Sequence, residues 1–208
     1  MAWSDSLEIA NVQFAKKLKS YAEKYPTKIT YPFSSLTKEN LDISTSADGL
    51  FRIYSWDDQT GGTMRYFDNV FQYKSATDFK AIIDTPKSEG DYQKIYTFKK
   101  NGKSYYLAVY LFVESSKYAG NGIHIFTIEN GKLADAKLIK TQSGLHDDLN
   151  YEYNFGSVVN IDFEKRPNIR FDNSNNTIYL PLVSGKGNVT KRFIEYKFTG
   201  QYFERVKN

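Results

Sequence analysis

The sequence predicts a mainly β protein in which antiparallel meanders form a sandwich or an incomplete propeller-like array, with an N-terminal amphipathic helix. Aromatic residues are 16% of the 208-residue chain, and flat rings pack well on the half-buried, pleated surface of a sheet. Asn-Gly pairs at 101–102 and 130–131 each separate two apolar stretches, which predicts type I′ hairpin turns. Because an all-β chain of this length is commonly one domain, we expect a single β-rich domain over residues 1–208.

The central feature of the predicted fold is a hairpin whose first strand spans 48–57 and whose return strand spans 63–73, with Gly61-Gly62 between them. Successive side chains of a strand point to opposite faces. The large apolar side chains of the first strand alternate in this way, with Phe51 and Ile53 on one face and Leu50, Tyr54 and Trp56 on the other. We therefore expect both faces to be covered by other parts of the chain.

An amphipathic helix is predicted over residues 5–25. Asp5 and Glu8 have the spacing of an N-terminal capping box, and Pro26 ends the helix because a proline disfavours helical geometry in the residue before it. Apolar residues recur at every third or fourth position and are expected to pack against the sheet: Leu7, Ala10, Phe14, Leu18, Tyr21, Ala22 and Tyr25.

Three β units are expected after the helix, at about 41–83, 92–140 and 157–206. Before the first unit, residues 27–33 look extended and residues 34–40 resemble a short helical turn. Pro86 and Gly90 predict a surface loop over 84–91.

The second unit, 92–140, has the pattern of a four-stranded meander. Its strand over 103–113 is apolar on both faces, which predicts a central position. Residues 141–155 lack strand periodicity and are predicted to form a long loop or a helical turn. The third unit returns to the meander pattern, with strands predicted at 157–163, 169–172, 177–183, 191–198 and 202–206.

Composition limits the classes of function. The chain has no cysteine, which excludes disulfides, thiolate metal sites and cysteine nucleophiles. Its net charge of +4 arises from residues 185–208, where alternation along two strands would spread the basic side chains over both faces, so we expect a solvated surface and no nucleic-acid partner. No apolar stretch approaches the ~20 residues of a membrane-spanning helix, and we expect no membrane insertion. We also expect no cofactor, because phosphate-loop, dinucleotide and hydrolase motifs are absent.

Two short resemblances bear on architecture and location. Ser46-Ala47-Asp48-Gly49 together with Trp56-Asp57 resembles the end of a WD-type propeller blade, although only about three four-stranded units fit where a closed propeller needs at least four. The stretch 48–57 with Gly61-Gly62-Thr63-Met64 and residues 193–200 resembles a group of uncharacterised exported β-rich proteins common in Bacteroidota. This second resemblance implies export and a β-rich fold and brings no activity or functional residues. Met1-Ala2 could follow a removed export signal, and we expect a periplasmic or secreted protein.

Carboxylates and histidines gather in two places. His146-Asp147-Asp148 could bind a divalent cation or act in acid–base chemistry, but adjacent residues point in different directions, and polar residues cluster in loops by default. The other histidine, His124, alternates with apolar residues and is expected to be a packed or surface residue. Asp57-Asp58 precedes Gly61-Gly62, and turn chemistry alone explains this pattern.

We expect an exported, non-catalytic binding protein that recognises a protein or glycan partner. No catalytic or metal-binding residue is assigned. Aromatic residues next to turns could serve as stacking platforms, and with neighbouring polar groups they give the expected ligand-binding set: Trp56, Asp57, Tyr66, His146, Asp148, Tyr151 and Tyr153.

Two alternatives remain open from the sequence. One is a carboxylate-dependent hydrolase acting on a glycan, for which the available acids are Asp57, Asp58, Asp147 and Asp148. The other is a structural or assembly module. A cleft with paired acids would favour the enzyme, an exposed aromatic shelf would favour binding, and a long open sheet edge would favour assembly.

Overall fold

The structure of the protein is a computed structural model that describes residues 3–88, 90–162 and 165–207. Half of the residues lie in strands and about a sixth in helices, which confirms the predicted mainly β class. Three sheets are stacked in layers, and helix α1 (Trp3–Lys24) covers the outer face of the first sheet. None of the described helices is long and apolar enough to cross a bilayer.

The described residues also form a second short helix, α2 (Ser34–Thr37), two 3₁₀ helices (Pro26–Lys28 and Phe155–Ser157) and fifteen strands. In chain order the strands are β1 (Asp42–Thr45), β2 (Phe51–Asp57), β3 (Phe67–Lys74), β4 (Phe79–Ser88), β5 (Asp91–Lys100), β6 (Lys103–Val113), β7 (Tyr118–Glu129), β8 (Lys132–Asp135), β9 (Ile139–Thr141), β10 (Gly144–His146), β11 (Asp148–Asn154), β12 (Arg170–Asp172), β13 (Thr177–Val183), β14 (Val189–Phe198) and β15 (Phe203–Arg205).

The strands form three sheets. Sheet A has the order β1-β2-β3-β4, and sheet B has the order β11-β7-β6-β5 with β8 also paired to β7. Sheet C has the order β10-β9-β15-β14-β13-β12. Neighbouring strands are antiparallel, except that β15 pairs with β9 in parallel.

Sheet B is the middle layer. Along β6, Leu107 and Val109 point into the core shared with sheet C, whereas Tyr106 and Ala108 point into the core shared with sheet A. Strand β6 lies between β5 and β7. The prediction of a central strand that is buried on both faces is therefore confirmed.

Strand β2 is covered on both faces, as predicted. Phe51 and Ile53 pack in the core between sheets A and B, and Tyr54 and Trp56 pack beneath α1. Leu50 was expected beside Tyr54 and Trp56, but it packs against the core between sheets A and B. It lies in the turn before β2, so strand alternation does not govern its direction.

Helix α1 confirms the predicted amphipathic helix, and it ends before Pro26. The predicted capping box is wrong, because α1 includes Trp3 and Asp5 lies within its first turn. Its contact with sheet A centres on Ala15, Leu18 and Ala22, which are buried. Ala10 and Tyr25 were expected to be covered as well, but both are exposed, because sheet A contacts only the middle of the apolar stripe.

Both Asn-Gly hairpins are confirmed. Asn101 and Gly102 have φ angles of 50° and 76°, and Asn130 and Gly131 have φ angles of 50° and 72°. Two successive positive φ angles define the type I′ turn. Of the strands predicted in the third unit, those at 169–172, 177–183, 191–198 and 202–206 correspond to β12, β13, β14 and β15.

Two predictions for the first unit are wrong. Residues 84–88 continue β4 and do not form a surface loop, because β4 is an edge strand, where the missing amide of a proline is tolerated. Residues 27–33 are not extended. They wind around the buried guanidinium of Arg52, which donates hydrogen bonds to the carbonyls of Lys28, Ile29 and Tyr31.

Predictions for the later chain also need correction. Residues 141–155 contain strands, and β11 pairs with β7 along its whole length, so the region is neither a long loop nor a helical turn. The last part of the four-stranded meander predicted over 92–140 is not one strand but is divided between β8 in sheet B and β9 in sheet C. The strand expected at 157–163 is absent over 157–162, where the chain forms turns, and residue 163 lies outside the described residues.

Candidate functional site

A cleft of about 760 Å³ opens between the first half of α1 and one end of sheet A. Its walls come from α1, the segment before β1, the loop between β2 and β3, and the first residue of β5. Leu7, Phe14, Trp56 and Phe67 supply apolar surface. The volume falls within the range of small-molecule sites, which combine apolar walls with a few convergent polar groups.

The polar part of the cleft is acidic. Arg65 is the one basic side chain among the described residues that line the cleft, and its Nη1 lies 3.0 Å from Oδ2 of Asp57. The whole chain carries a net charge of +4, so the cleft is a negative region on a basic protein. We call this feature the acidic cleft, after the five carboxyl side chains that line it: Glu39, Asp42, Asp57, Asp58 and Asp91.

Asp58 and Asp91 are equally buried, with 6% of each residue exposed, but they differ in their hydrogen bonds. The carboxylate of Asp58 accepts hydrogen bonds from the amide and hydroxyl of Thr60 at 2.8 Å. Oδ2 of Asp91 accepts one hydrogen bond from Nε2 of Gln93 at 3.1 Å, whereas Oδ1 accepts none from the described residues. A buried carboxyl oxygen without a donor is costly, and this oxygen is the least satisfied polar atom of the cleft.

The neighbour of Asp91 is Asp42, at the start of β1. Burial, and then repulsion from Asp42, raises the pKa of Asp91 to about 7. Burial also raises the pKa of Asp42, although its hydrogen bond with Asp91 opposes this shift. Two carboxyl groups in contact cannot both ionise at low cost. Near neutral pH, the pair therefore shares a proton or requires a cation.

Buried polar side chains from sheet A hold Asp91 in place. The amide of Tyr92 donates to Oγ of Ser55 at 3.0 Å, and Nδ2 of Asn69 donates to the carbonyl of Gly90 at 3.1 Å. Oγ of Ser44 donates to the carbonyl of Tyr92 at 3.4 Å. Because these bonds flank Asp91 on both sides, its carboxyl group is fixed at the end of the two packed sheets.

The loop between β2 and β3 is ordered by its own acids. Oδ1 of Asp57 accepts a hydrogen bond from the amide of Gln59 at 2.8 Å, and Asp58 accepts the two bonds from Thr60. These are the side chain to backbone bonds that Asp makes in turns. The turn chemistry expected for Asp57-Asp58 is therefore present, and it leaves both carboxylates at the edge of the cleft.

Trp56 is a fixed part of the cleft wall. Its Nε1 donates to Oδ1 of Asn11 at 3.0 Å, and its ring meets that of Phe14 edge-on, with centroids 4.9 Å apart. Nδ2 of Asn11 in turn donates to the carbonyl of Asp58 at 2.7 Å. Trp56 is 8% exposed, so it offers an edge to a ligand but no open stacking surface.

Two of the seven residues predicted to bind a ligand, Trp56 and Asp57, line the acidic cleft. Tyr66 belongs to the same loop, where its carbonyl accepts a hydrogen bond from the amide of Asp58 at 3.0 Å. The other four lie elsewhere: His146, Asp148, Tyr151 and Tyr153.

Tyr151 and Tyr153 belong to the core between sheets B and C. The expectation that they lie exposed beside a loop is therefore wrong, because β11 turns both rings inward. The hydroxyl of Tyr151 has two acceptors for its single proton within hydrogen-bonding distance, Oδ1 of Asn121 at 3.1 Å and the carbonyl of Pro167 at 3.0 Å. Burial raises the pKa of both phenols.

His146 and Asp148 bond to different neighbours. Nε2 of His146 lies 2.9 Å from Oγ of Ser143 in sheet C. Asp148 accepts a hydrogen bond from the hydroxyl of Tyr110 at 2.8 Å in sheet B, and burial raises its pKa. Asp57 and Asp162 do not join His146, since Asp57 pairs with Arg65 and Asp162 pairs with Lys165.

Sequence reasoning missed Asp42 and Asp91, the two acids at the centre of the cleft. Asp91 was assigned to a surface loop because of Pro86 and Gly90, and Asp42 is the first residue of a short strand with no motif around it. The two residues are 49 positions apart in the chain, so only the packing of sheet A on sheet B brings them together. The single local indication is that Ser55 and Asn69 are polar residues among the large apolar side chains of β2 and β3.

A larger concavity, of about 1160 Å³, lies on sheet C. It is lined mostly by exposed side chains, including the ion pair between Lys140 and Glu204 at 2.9 Å. Its described residues include no buried polar atom without a partner. The acidic cleft is therefore the better candidate, although it is smaller.

Comparison of the chain with protein-family models, with curated proteins and with solved structures gave no match.

Proposed function

We propose that the protein is a non-catalytic binding protein whose acidic cleft holds a protonated amine of a protein or glycan partner. The observation that carries this proposal is the buried Oδ1 of Asp91, which accepts no hydrogen bond from the described residues. It belongs to a carboxyl group that is also repelled by Asp42. An ammonium group donates up to three hydrogen bonds and carries the charge that the carboxyl pair needs. It would bind there in place of the shared proton.

The charges of the cleft support a cationic ligand. Five carboxyl groups face a single arginine, and Arg65 is already paired with Asp57. Low-dielectric walls strengthen the field of a cleft that is lined by one sign of charge. An anionic ligand would be repelled, and a neutral ligand would leave the Asp42 and Asp91 pair without a counter-charge.

The shape of the cleft fits a ligand that carries its amine on an apolar stem or a ring. Leu7, Phe14, Trp56 and Phe67 contribute apolar surface. A lysine side chain of a protein partner and an amino sugar of a glycan both combine such a body with an ammonium group. Location outside the cytoplasm remains part of the proposal and is supported by the resemblance of residues 48–57 and 193–200 to exported proteins.

A carboxylate-dependent hydrolase is the second candidate, and the pKa of Asp91 near 7 favours it, because general acid–base groups work best near the ambient pH. The contact between Asp42 and Asp91 argues against glycoside cleavage by this pair, since the two carboxyl groups of a glycosidase stand ~5–10 Å apart. A close acid pair that shares one proton is instead typical of peptide-bond hydrolysis.

The proposal is tested by isothermal titration with two matched ligand pairs. One pair is a glucosamine oligosaccharide and its N-acetylated form, and the other is a lysine-containing peptide and its acetyl-lysine form. We expect one of the two amine ligands to bind and its acetylated form not to bind. The variants Asp91→Asn and Asp42→Asn should lose binding, whereas Asp162→Asn, at an exposed acid far along the chain, should keep it.

The alternative functions give different results in the same experiment. Equal binding of amine and acetylated forms would refute the role of the acid pair. Cleavage of the peptide or oligosaccharide by the parent protein, lost in Asp91→Asn, would favour the hydrolase.

A further inference from the structure

A second group of ligating side chains lies on sheet B, away from the acidic cleft. His124, Asp135 and Asp147 each present one ligating atom, and these atoms all lie within 4.8 Å of one another. Nε2 of His124 is 3.0 Å from Oδ1 of Asp135. The sequence-adjacent group His146-Asp147-Asp148 is not assembled, but Asp147 meets the other histidine of the chain.

Three neighbouring strands bring the cluster together. The amide of Ile125 donates to the carbonyl of Asp147 at 2.7 Å, and the amide of Ala136 donates to the carbonyl of Ile125 at 2.8 Å. Ile125 is fully buried in β7. Strand β6 occupies one edge of β7, so both bonds lie on the other edge, which β11 and β8 share. Backbone bonds to a single core residue therefore bring Asp147 and Asp135 together beside His124.

The imidazole of His124 is held by stacking. Its ring lies 4.2 Å from that of Phe126 with an angle of 12° between the planes, and Phe126 belongs to the core between sheets A and B. In the sheet register, His124 pairs with Asp148, which accepts hydrogen bonds from the hydroxyl of Tyr110 and from Asn150. A histidine that is oriented in this way presents its nitrogen in a defined direction, as metal sites require.

The cluster has an excess of negative charge. Asp135, Asp147 and Asp148 surround one imidazole. None of the ion pairs between described residues gives these three carboxylates a lysine or arginine partner. Divalent cations are strong counter-charges for such groups.

We propose that His124, Asp135 and Asp147 bind one divalent transition-metal ion, with Zn²⁺ as the best-fitting probe. One nitrogen and two oxygen ligands suit a first-row metal better than Mg²⁺ or Ca²⁺, which prefer oxygen alone. In a tetrahedral zinc site with bonds of ~2.1 Å, ligand atoms lie roughly 3.4 Å apart. Nε2 of His124 and Oδ1 of Asp135, 3.0 Å apart, are slightly closer than this spacing, and the carboxylate of Asp135 is 58% exposed and has room to turn. Three protein ligands leave a fourth position for water or for a partner's side chain.

The test uses the untagged protein, first freed of metal with a chelator and then titrated with zinc chloride by isothermal calorimetry. We expect one site, and at least about tenfold weaker binding in His124→Ala and in Asp147→Asn. The chain offers a matched control in His146→Ala, because His146 is the only other histidine and bonds to Ser143 in sheet C. This control should bind zinc as tightly as the parent.

Imidazole nitrogen resonances provide a readout that a purely structural role would not change. Zinc should shift the resonances of His124 and leave those of His146 in place. Absence of zinc binding at millimolar concentration, or binding that survives in both His124→Ala and Asp147→Asn, would overturn the proposal. Loss of binding in His146→Ala, or tighter binding of Mg²⁺ than of Zn²⁺, would also overturn it.

Discussion

The buried carboxyl group of Asp91, at the start of β5, lies against the carboxyl group of Asp42, an exposed residue at the start of β1. The raised pKa of Asp91, about 7, means that the folded state binds more protons than the unfolded state between about pH 4 and pH 7. Because the folded state binds this proton more tightly, protonation of Asp91 stabilises the fold. This stabilisation is fully present below this window, and it is lost as the pH rises through 7.

The first prediction concerns Asp91→Asn. Because asparagine does not titrate, the variant should gain stability relative to the parent as the pH rises from 5 to 8, by about 2 kcal/mol. Chemical denaturation at the two pH values measures this difference. Asp162→Asn serves as the control, since this acid is exposed and its pairing with Lys165 is a surface contact. If the difference in free energy of unfolding between Asp91→Asn and the parent were the same at both pH values, the raised pKa of Asp91 would be contradicted.

The second prediction concerns ligand affinity. An ammonium group competes with the proton of the acid pair, so binding should strengthen as the pH rises through about 7. Between pH 6 and pH 8 the dissociation constant should fall roughly tenfold. The lysine-containing peptide measures this by titration calorimetry in both buffers, because its ammonium group stays protonated over this range. The same affinity at pH 6 and pH 8 would mean that Asp91 does not take part in binding.

The limits of sequence reasoning follow from the range of the interactions involved. Asn101-Gly102 and Asn130-Gly131 were predicted correctly, because a type I′ turn depends on the φ preferences of two adjacent residues. The continuation of β4 through Pro86 was missed, since it depends on the edge position of that strand. Asp42 and Asp91 were also missed because of a long-range interaction. The packing of one sheet on another creates their contact and their pKa shifts.

Tyr151 was predicted to bind a ligand, but it is a residue of the core. Its position beside a predicted loop suggested a ligand platform, but alternation along β11 directs the ring into the core. The exposed residues Asn150 and Glu152 between the buried positions concealed this strand. A strand with one polar face at the edge of a sheet resembles a polar loop when its partner strand is unknown.

The third prediction follows for Tyr151→Phe. Loss of the hydroxyl leaves Oδ1 of Asn121 and the carbonyl of Pro167 without this donor, which should lower the free energy of unfolding by about 1 to 3 kcal/mol. Amine binding in the acidic cleft should not change. Tyr118→Phe is the control because this ring is 38% exposed. If Tyr151→Phe were as stable as the parent but bound the amine more weakly, the ligand-binding role that the sequence predicted for Tyr151 would be supported instead.

The fourth prediction concerns the packing of α1 on sheet A. Leu18 is buried against this sheet with Tyr54 and Val70, and Leu18→Ala should lower the free energy of unfolding by about 2 to 5 kcal/mol. Val12 on the same helix is 47% exposed, so Val12→Ala should change the stability by less than about 0.5 kcal/mol. Equal effects of the two substitutions in urea denaturation would show that the helix does not pack as described.

The last prediction concerns Gly122, which pairs with Tyr110 across β6 and β7. A Cβ atom at Gly122 would overlap the ring of Tyr110, whose hydroxyl donates to Asp148 at 2.8 Å. Gly122→Ala must therefore displace the ring and weaken that bond, and overpacking of this kind costs about 1 to 3 kcal/mol.

The matched control for this substitution is Gly185→Ala, in the loop between β13 and β14. A Cβ atom at Gly185 meets no other atom within 4 Å, so this variant should unfold at the same urea concentration as the parent. The midpoint for Gly122→Ala should be lower, with an unchanged dependence on urea. An unchanged midpoint in Gly122→Ala would mean that the ring of Tyr110 does not lie over β7. Tyr110 could then not donate the hydrogen bond that holds Asp148 beside His124.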